Sequence, residues 1–226
     1  MTAPRGLLLL LSAALAGQAA AGCRSDAMIV FDGSGSMAGS GFVQNRTPRI
    51  DEARAAMAQV LPEVERFRRI GLVTYGLDGS CEGILLHFGP RPLAARPILS
   101  ALDEVTPQGL TPLAESVERA AEVLDYRMRP ATVVLVTDGN DTCGGRPCDR
   151  IGRMQAAAAD LTIHVLGFKV VGDVATQGTG LSGILPKGEV EARCMAEGTG
   201  GSYVLADTTA ELIAALRETL GCDVTS

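Results

Sequence analysis

A stretch near the start of the chain, Met28 to Met37, constrains the fold more than any other segment. Four apolar residues in succession end at Asp32, and Ser34 and Ser36 then alternate with glycines. An uninterrupted apolar run of this kind is typical of a strand buried on both faces of a sheet. The glycines permit close approach of the backbone, so the three oxygen-bearing side chains can converge. The stretch therefore predicts a central strand that ends in a polar loop suited to a metal ion.

Two later segments complete this pattern. Thr111 precedes a helical pattern, and Asp138 ends a β-branched run that is typical of a second buried strand. A D-x-S-x-S motif followed by this Thr and this Asp, in this order, resembles the metal-ion-dependent adhesion site of the von Willebrand factor type A domain. The resemblance extends from Asp26 to Leu220. It implies that a divalent cation, Mg²⁺ or Mn²⁺, is held by Asp32, Ser34, Ser36, Thr111 and Asp138.

The resemblance also implies different roles for these residues. Ser34, Ser36 and Thr111 would bind the metal directly in the state that accepts a ligand. Asp32 and Asp138 would hold waters and orient the hydroxyl groups. Because Mg²⁺ prefers six oxygen ligands and usually retains several waters, such a set suits it. Neutral hydroxyl ligands leave most of the ion's charge unneutralised, so a Glu or Asp carboxylate of a protein partner would be strongly attracted.

Strands alternate with helical patterns along the chain, which predicts an α/β fold. The strands Ile70 to Tyr75 and Ile84 to Phe88 are joined by a link too short for a parallel return, so they must be antiparallel. In the family that this chain resembles, the later of these two strands lies at the sheet edge. We expect a doubly wound, mostly parallel central sheet with one antiparallel edge strand and helices on both faces. Thr111 is expected to cap the helix that Pro112 begins.

The first 21 residues predict a secretory signal peptide. Arg5 precedes the apolar run Leu7 to Leu15, and the segment closes with an Ala-x-Ala pattern. This run is too short to span a membrane, and no later apolar segment approaches the roughly 20 residues required. Residues 22–226 are therefore expected to form a single von Willebrand factor type A domain, exported to the periplasm or the extracellular space.

Six cysteines follow the export signal, and an even count in an oxidising compartment favours disulfides over metal binding or catalysis. By the resemblance, Cys23 lies at the base of the first strand and Cys222 just past the last helix, so we expect these two to pair. A lipid anchor at Cys23 is the rival interpretation. It is disfavoured because the preceding Ala20-Ala21-Gly22 is a poor cleavage box and because it would leave five cysteines.

The remaining four cysteines allow two arrangements. Cys143 and Cys148 are close enough along the chain to close a short local loop. Equally, Cys81 could pair with Cys143 while Cys148 pairs with Cys194. The spacing does not choose between these arrangements.

Charge and motifs narrow the classes of function. A net charge of −6 argues against nucleic acid as a partner. The chain has no G-x-S-x-G elbow, no phosphate-binding G-x-x-x-x-G-K-[ST] loop, and no second Asp two residues after Asp32. His87 and His164 are expected to be packing or surface residues, and Asn140 and Asp141 are expected to be turn residues. We therefore expect an exported, non-enzymatic binding module. The alternative is a structural or assembly subunit of a cell-envelope complex in which the metal site is permanently occupied.

Overall fold

A six-stranded sheet forms the centre of the computed structural model, which describes residues 25–39, 47–170 and 187–221. The strand order is β3-β2-β1-β4-β5-β6, with β3 antiparallel to β2 and all other neighbours parallel. The predicted mostly parallel sheet with one antiparallel edge strand is therefore confirmed. The strands are β1 (Ala27–Asp32), β2 (Ile70–Tyr75), β3 (Ile84–Arg91), β4 (Pro130–Thr137), β5 (Asp160–Phe168) and β6 (Tyr203–Ala206).

Helices cover both faces of the sheet, because the central strands are apolar on both sides. In β1, Ala27, Ile29 and Phe31 pack into one core, and Met28 and Val30 pack into the other. Helices α1, α2 and α6 close the first core, and α3, α4 and α5 close the second. The helices are α1 (Arg49–Val64), α2 (Ala95–Asp103), α3 (Leu113–Val123), α4 (Pro147–Ala157), α5 (Lys187–Glu197) and α6 (Thr209–Leu220), with a short 3-10 helix at Gly35–Ala38.

Two disulfides resolve the pairing that the spacing left open. Cys81 in the β2–β3 loop is bonded to Cys143 in the loop after β4. Cys148 at the start of α4 is bonded to Cys194 in α5. The local Cys143–Cys148 loop is therefore not formed. Disulfides are typical of proteins in oxidising compartments.

The predicted signal peptide at residues 1–21 lies outside the described residues, as do Cys23 and Cys222. The pairing of these two cysteines and the cleavage of the leader therefore stay predictions. Within the part of the chain that the structure describes, none of the helices has the length and apolar character needed to cross a membrane.

Both histidines are engaged within the sheet. The His87 Nε2 atom lies 2.9 Å from the Thr74 hydroxyl oxygen. The Ser202 N–H donates to His164 Nδ1 over 3.1 Å, which requires an unprotonated nitrogen there. Burial lowers the pKa of His164 to about 4, and the positive charge of Arg68 contributes in the same direction.

His164 is therefore expected to make stability depend on pH. The unfolded chain takes up a proton near pH 6.5, whereas the folded protein resists protonation until about pH 4. Stability is fully present above pH 6.5 and is lost as the pH falls from 6.5 towards 4. Between pH 7 and pH 5 the contribution of this group to the loss is about 1 to 2 kcal/mol.

His164→Asn keeps a hydrogen-bond acceptor for Ser202 but cannot take up the proton. Urea unfolding at pH 7 and pH 5 should therefore show a smaller loss of stability in this variant than in the parent protein. Equal losses in the two proteins would contradict the assignment.

Candidate metal site

Parallel pairing brings the ends of β1 and β4 together. β1 lies between β2 and β4, with Asp32 opposite Tyr75 of β2 and Phe31 opposite Val136 of β4. Asp138 follows the last residue of β4 directly. The two aspartates predicted as site residues therefore meet at the carboxyl edge of the sheet, where ligand sites of open α/β folds form. Both are buried, with exposed fractions of 0% for Asp32 and 3% for Asp138.

Hydrogen bonds hold both carboxylate oxygens of Asp32. Its Oδ1 accepts from the Ser34 N–H over 2.7 Å, and its Oδ2 accepts from the Thr137 hydroxyl over 2.6 Å. Thr137 Oγ1 in turn accepts from the Tyr75 hydroxyl over 3.1 Å. Burial raises the pKa of Tyr75 well above its usual value, and the charge of Asp32 adds to the effect. Tyr75 thus stays neutral and donating, and Asp32 is fixed in one orientation.

The two serines connect the β1 loop to Asp138. Ser36 Oγ donates to Asp138 Oδ1 over 2.6 Å, and the hydroxyl oxygens of Ser34 and Ser36 lie 3.0 Å apart. A hydroxyl that donates its proton to a carboxylate keeps its lone pairs free to bind a cation. The Ser36 hydroxyl is therefore oriented by Asp138 and lies beside the hydroxyl of Ser34.

The segment that carries Thr111 is held between the same two loops. The Gly109 carbonyl accepts from the Gly35 N–H over 3.0 Å. On the other side, the Thr111 N–H donates to Thr142 Oγ1 over 2.8 Å, and the Thr142 N–H donates to the Thr111 carbonyl over 3.1 Å. Thr142 lies in the loop after Asp138. All three predicted parts of the site are thus connected, and Thr111 is buried.

The prediction that Thr111 caps the following helix is wrong. Pro112 directly precedes α3 with a ψ of 65°, and no side chain of its own caps the helix. The capping acceptor comes from another loop, since Asp141 Oδ2 accepts from the Ala114 N–H over 3.2 Å. A carboxylate at this position is favoured by the helix dipole. Thr111 lies one residue before Pro112, the residue that directly precedes α3, and its backbone is paired with Thr142.

Asp138 carries the least satisfied group of the site. Its Oδ2 atom is buried and accepts no hydrogen bond from the residues that the structure describes, although the Arg49 Nη1 atom lies 3.5 Å away. Burial and the neighbouring charge of Asp32 raise the pKa of Asp138 to about 7, while Ser36 and Arg49 act in the opposite direction. A buried carboxylate with an unused oxygen is costly unless a cation or a donor satisfies it.

These residues fit a hard divalent cation. The donors are all oxygens, which Mg²⁺ prefers, and the two buried carboxylates supply negative charge. Within residues 25–39, 47–170 and 187–221, no group of three or more His, Cys, Asp or Glu side chains is arranged to hold a metal.

Several residues of the site were not singled out from the sequence. Thr137 and Tyr75 position Asp32, and their signal was their place as the last residues of apolar strands. Asp141 was expected as a turn residue, and its Oδ1 does accept from two N–H groups of its own loop, but its capping of α3 was missed. Arg49 was also missed, and its signal was a cation at the first position of a helix.

The fold and the site together define a class of protein: a doubly wound α/β domain with oxygen-bearing side chains gathered at the carboxyl ends of two central parallel strands. The family model described as von Willebrand factor type A domain matches residues 27–140, just over half of the chain. The chain belongs to this family. The matched range includes all of the predicted metal-site residues: Asp32, Ser34, Ser36, Thr111 and Asp138.

Known proteins similar to this chain include the uncharacterized protein YwmD of Bacillus subtilis (strain 168). The two are 27% identical over 195 residues, which cover 81% of this chain and 79% of YwmD. Among solved structures, proximal thread matrix protein 1 from the mussel byssus, described with a zinc-occupied MIDAS motif, is 20% identical with a TM-score of 0.59. That match covers 87% of this chain and 45% of the mussel protein, so the chain spans less than half of its length.

The VWA domain of SpRpn10 is 14% identical to this chain with a TM-score of 0.61, and the match covers 89% of this chain and 99% of that domain. At this level of identity, and at that of the mussel protein, the likeness shows a shared fold.

Proposed function

We propose that this chain is an exported, non-enzymatic binding module that uses a divalent cation, Mg²⁺ or Mn²⁺, to capture a carboxylate of a protein partner. The observation that carries the proposal is the convergence of Asp32, Ser34, Ser36 and Asp138 in one partly buried hydrogen-bonded cluster, in which Asp138 Oδ2 accepts no hydrogen bond within the described part of the chain. Without a bound cation, that oxygen has the charge of Arg49 at 3.5 Å but no hydrogen bond within the described part of the chain, which leaves it incompletely satisfied.

In this proposal Ser34, Ser36 and Thr111 bind the cation directly, and Asp32 and Asp138 act through waters and hydrogen bonds. Asp32 suits an orienting role because both of its oxygens are already engaged by Ser34 and Thr137. The bound cation would supply a concentrated positive charge that attracts an acidic side chain of the partner. The zinc-occupied site of the mussel protein supports a divalent cation at this position of the fold.

The remaining parts of the proposal concern the location of the protein and the class of its partner. The signal-peptide pattern at residues 1–21 and the two disulfides support export to the periplasm or the extracellular space. A net charge of −6 supports a protein partner, met through the cation, over nucleic acid.

Calorimetric titration of Mg²⁺ into the chelator-treated protein tests the metal site. We expect saturable binding of about one ion per chain. Asp138→Asn, which keeps the shape of the side chain but removes its charge, should weaken binding by about 10- to 100-fold or more. Asp160→Asn removes the same charge from the exposed first residue of β5. This residue lies at the amino-terminal ends of the parallel strands, away from the metal site, so metal binding should be unchanged.

Absence of binding in the parent protein would contradict the proposal, and so would equal binding in the Asp138→Asn variant. Metal that co-purifies and resists the chelator, together with a bound protein, would favour the assembly subunit with a permanently filled site. Circular dichroism would show whether each variant is folded, so that a loss of metal binding can be distinguished from a loss of structure.

Capture of a carboxylate needs a separate experiment. Immobilised peptides containing Glu, beside otherwise identical peptides containing Gln, would be compared in Mg²⁺ and in chelator. Retention of the protein only on the Glu peptide and only with Mg²⁺ is the expected result. Equal retention on both peptides would contradict the role of the carboxylate.

A further inference from the structure

Arg49 is a buried cation in direct contact with the candidate metal site. Its Nη1 atom donates to the Ser36 carbonyl over 2.9 Å and lies 3.5 Å from Asp138 Oδ2. Its exposed fraction is only 4%. Through these contacts one guanidinium joins the two halves of the site, the loop after β1 and the residue after β4.

The position is unfavourable for an arginine in three respects. Arg49 is the first residue of α1, where the helix dipole disfavours a positive charge. Burial removes the guanidinium from water, which costs free energy unless the group is fully paired. Its Nε atom is also buried and makes no hydrogen bond within the described part of the chain. Packing alone does not account for a cation here, because an apolar side chain would avoid all three costs.

The charge balance of the site gives the residue a role. Asp32 and Asp138 are both buried and close together, and the pair alone would repel. Arg49 compensates one of the two charges. When both carboxylates are ionised and Arg49 is present, the site has one net negative charge, so a bound divalent cation leaves one positive charge over. A single carboxylate from outside then restores neutrality.

We propose that Arg49 is a positioning residue whose positive charge substitutes for part of the metal's charge. It stabilises the metal-free site and weakens metal binding. The cation is therefore bound tightly only when an acidic partner adds its carboxylate. This inference rests on the proposed function, because it assigns a charge balance to the same site.

Three variants separate the charge of Arg49 from its packing. Arg49→Met removes the charge and keeps an unbranched side chain. Arg49→Gln removes the charge but keeps a hydrogen-bond donor for the Ser36 carbonyl. Arg49→Lys keeps the charge. Mg²⁺ affinity would be measured by calorimetry, and the thermal midpoint of unfolding would be measured in chelator and in saturating Mg²⁺.

The two neutral variants should bind Mg²⁺ at least tenfold more tightly than the parent protein, and Arg49→Lys should bind within about threefold of it. In chelator the neutral variants should unfold at a lower temperature than the parent, and saturating Mg²⁺ should remove or reverse that difference. Neutral variants that fold only when Mg²⁺ is present would also support the inference.

Unchanged or weaker Mg²⁺ binding by the neutral variants would overturn the inference, as would equal effects of Arg49→Lys and Arg49→Met. Neutral variants that stay unfolded in saturating Mg²⁺ would also overturn it, because the cation would then not replace the guanidinium. A parent protein without Mg²⁺ binding contradicts the proposed function. In that case, binding gained by Arg49→Met would still support the role of Arg49, and no binding in any variant would overturn both.

Discussion

Replacing Cys81 and Cys143 with alanine is expected to lower the free energy of unfolding by about 4 kcal/mol in the chain-entropy account of disulfides, because the bond closes a long loop. The two cysteines are 62 residues apart along the chain. The same bond fixes the loop in which Asp141 caps α3 and Thr142 holds Thr111. Metal binding should therefore weaken as well, even where the variant remains folded. Urea unfolding and Mg²⁺ calorimetry would measure the two effects.

The second disulfide provides a matched control. Cys148 and Cys194 are 46 residues apart, so their replacement with alanine should cost a similar free energy of unfolding, about 4 kcal/mol. This bond joins α4 to α5, whereas the segment of Thr111 is held by Thr142 in the loop that carries Cys143. Mg²⁺ affinity of the folded variant should therefore stay near that of the parent. If both pairs of replacements weakened metal binding equally, the special role of the Cys81–Cys143 bond would be excluded.

Gly109→Ala is expected to destabilise the protein by about 1 to 3 kcal/mol through overpacking. The Gly109 N–H donates to the Gly76 carbonyl over 2.9 Å, and a Cβ atom on Gly109 would lie 2.5 Å from the Gly76 carbonyl carbon. Backbone atoms cannot rotate away as a side chain can, so the two loops must separate. Because Gly109 also accepts from Gly35, this separation should move Thr111 away from the serines and weaken Mg²⁺ binding by at least tenfold.

Gly152→Ala is the control for this substitution. Gly152 lies in α4, is exposed, and a Cβ atom there would meet nothing within 4 Å. Alanine should therefore stabilise the protein by up to about 1 kcal/mol through helix propensity, with no effect on metal binding. Urea unfolding would compare the two variants. A Gly109→Ala variant as stable as the parent would show that the loops are not closely packed in solution.

The strands and the central site residues could be predicted from local patterns. The structure places β2 at Ile70–Tyr75, as predicted, and begins β3 at Ile84, as predicted, although β3 continues to Arg91. An apolar run or a helical repeat records which faces a segment buries, and that information lies within the segment itself. Asp32 and Asp138 could likewise be placed together, because each ends a buried parallel strand and such ends share one edge of the sheet.

The cap of α3 could not be predicted in this way. Thr-Pro before a helical pattern is a typical local start signal, and it indicated Thr111. In the structure the capping acceptor is Asp141, which lies 27 residues further along the chain than Ala114. A hydrogen bond between two loops depends on how the sheet positions them, so a local sequence pattern cannot predict it.

The sequence by itself determined the class of fold, the order of its elements and the residue types at the carboxyl ends of the strands. The reason is that the apolar pattern of each segment indicates its secondary structure and which of its faces are buried. Only the tertiary structure decided which cysteines pair, which carboxylate caps α3, and that Arg49 reaches Asp138 from another element. These are contacts between distant segments. The packing of the sheet and its loops determines which residues meet in these contacts. For a buried charge such as Arg49, the partner determines the free-energy cost of burial and the role of the residue.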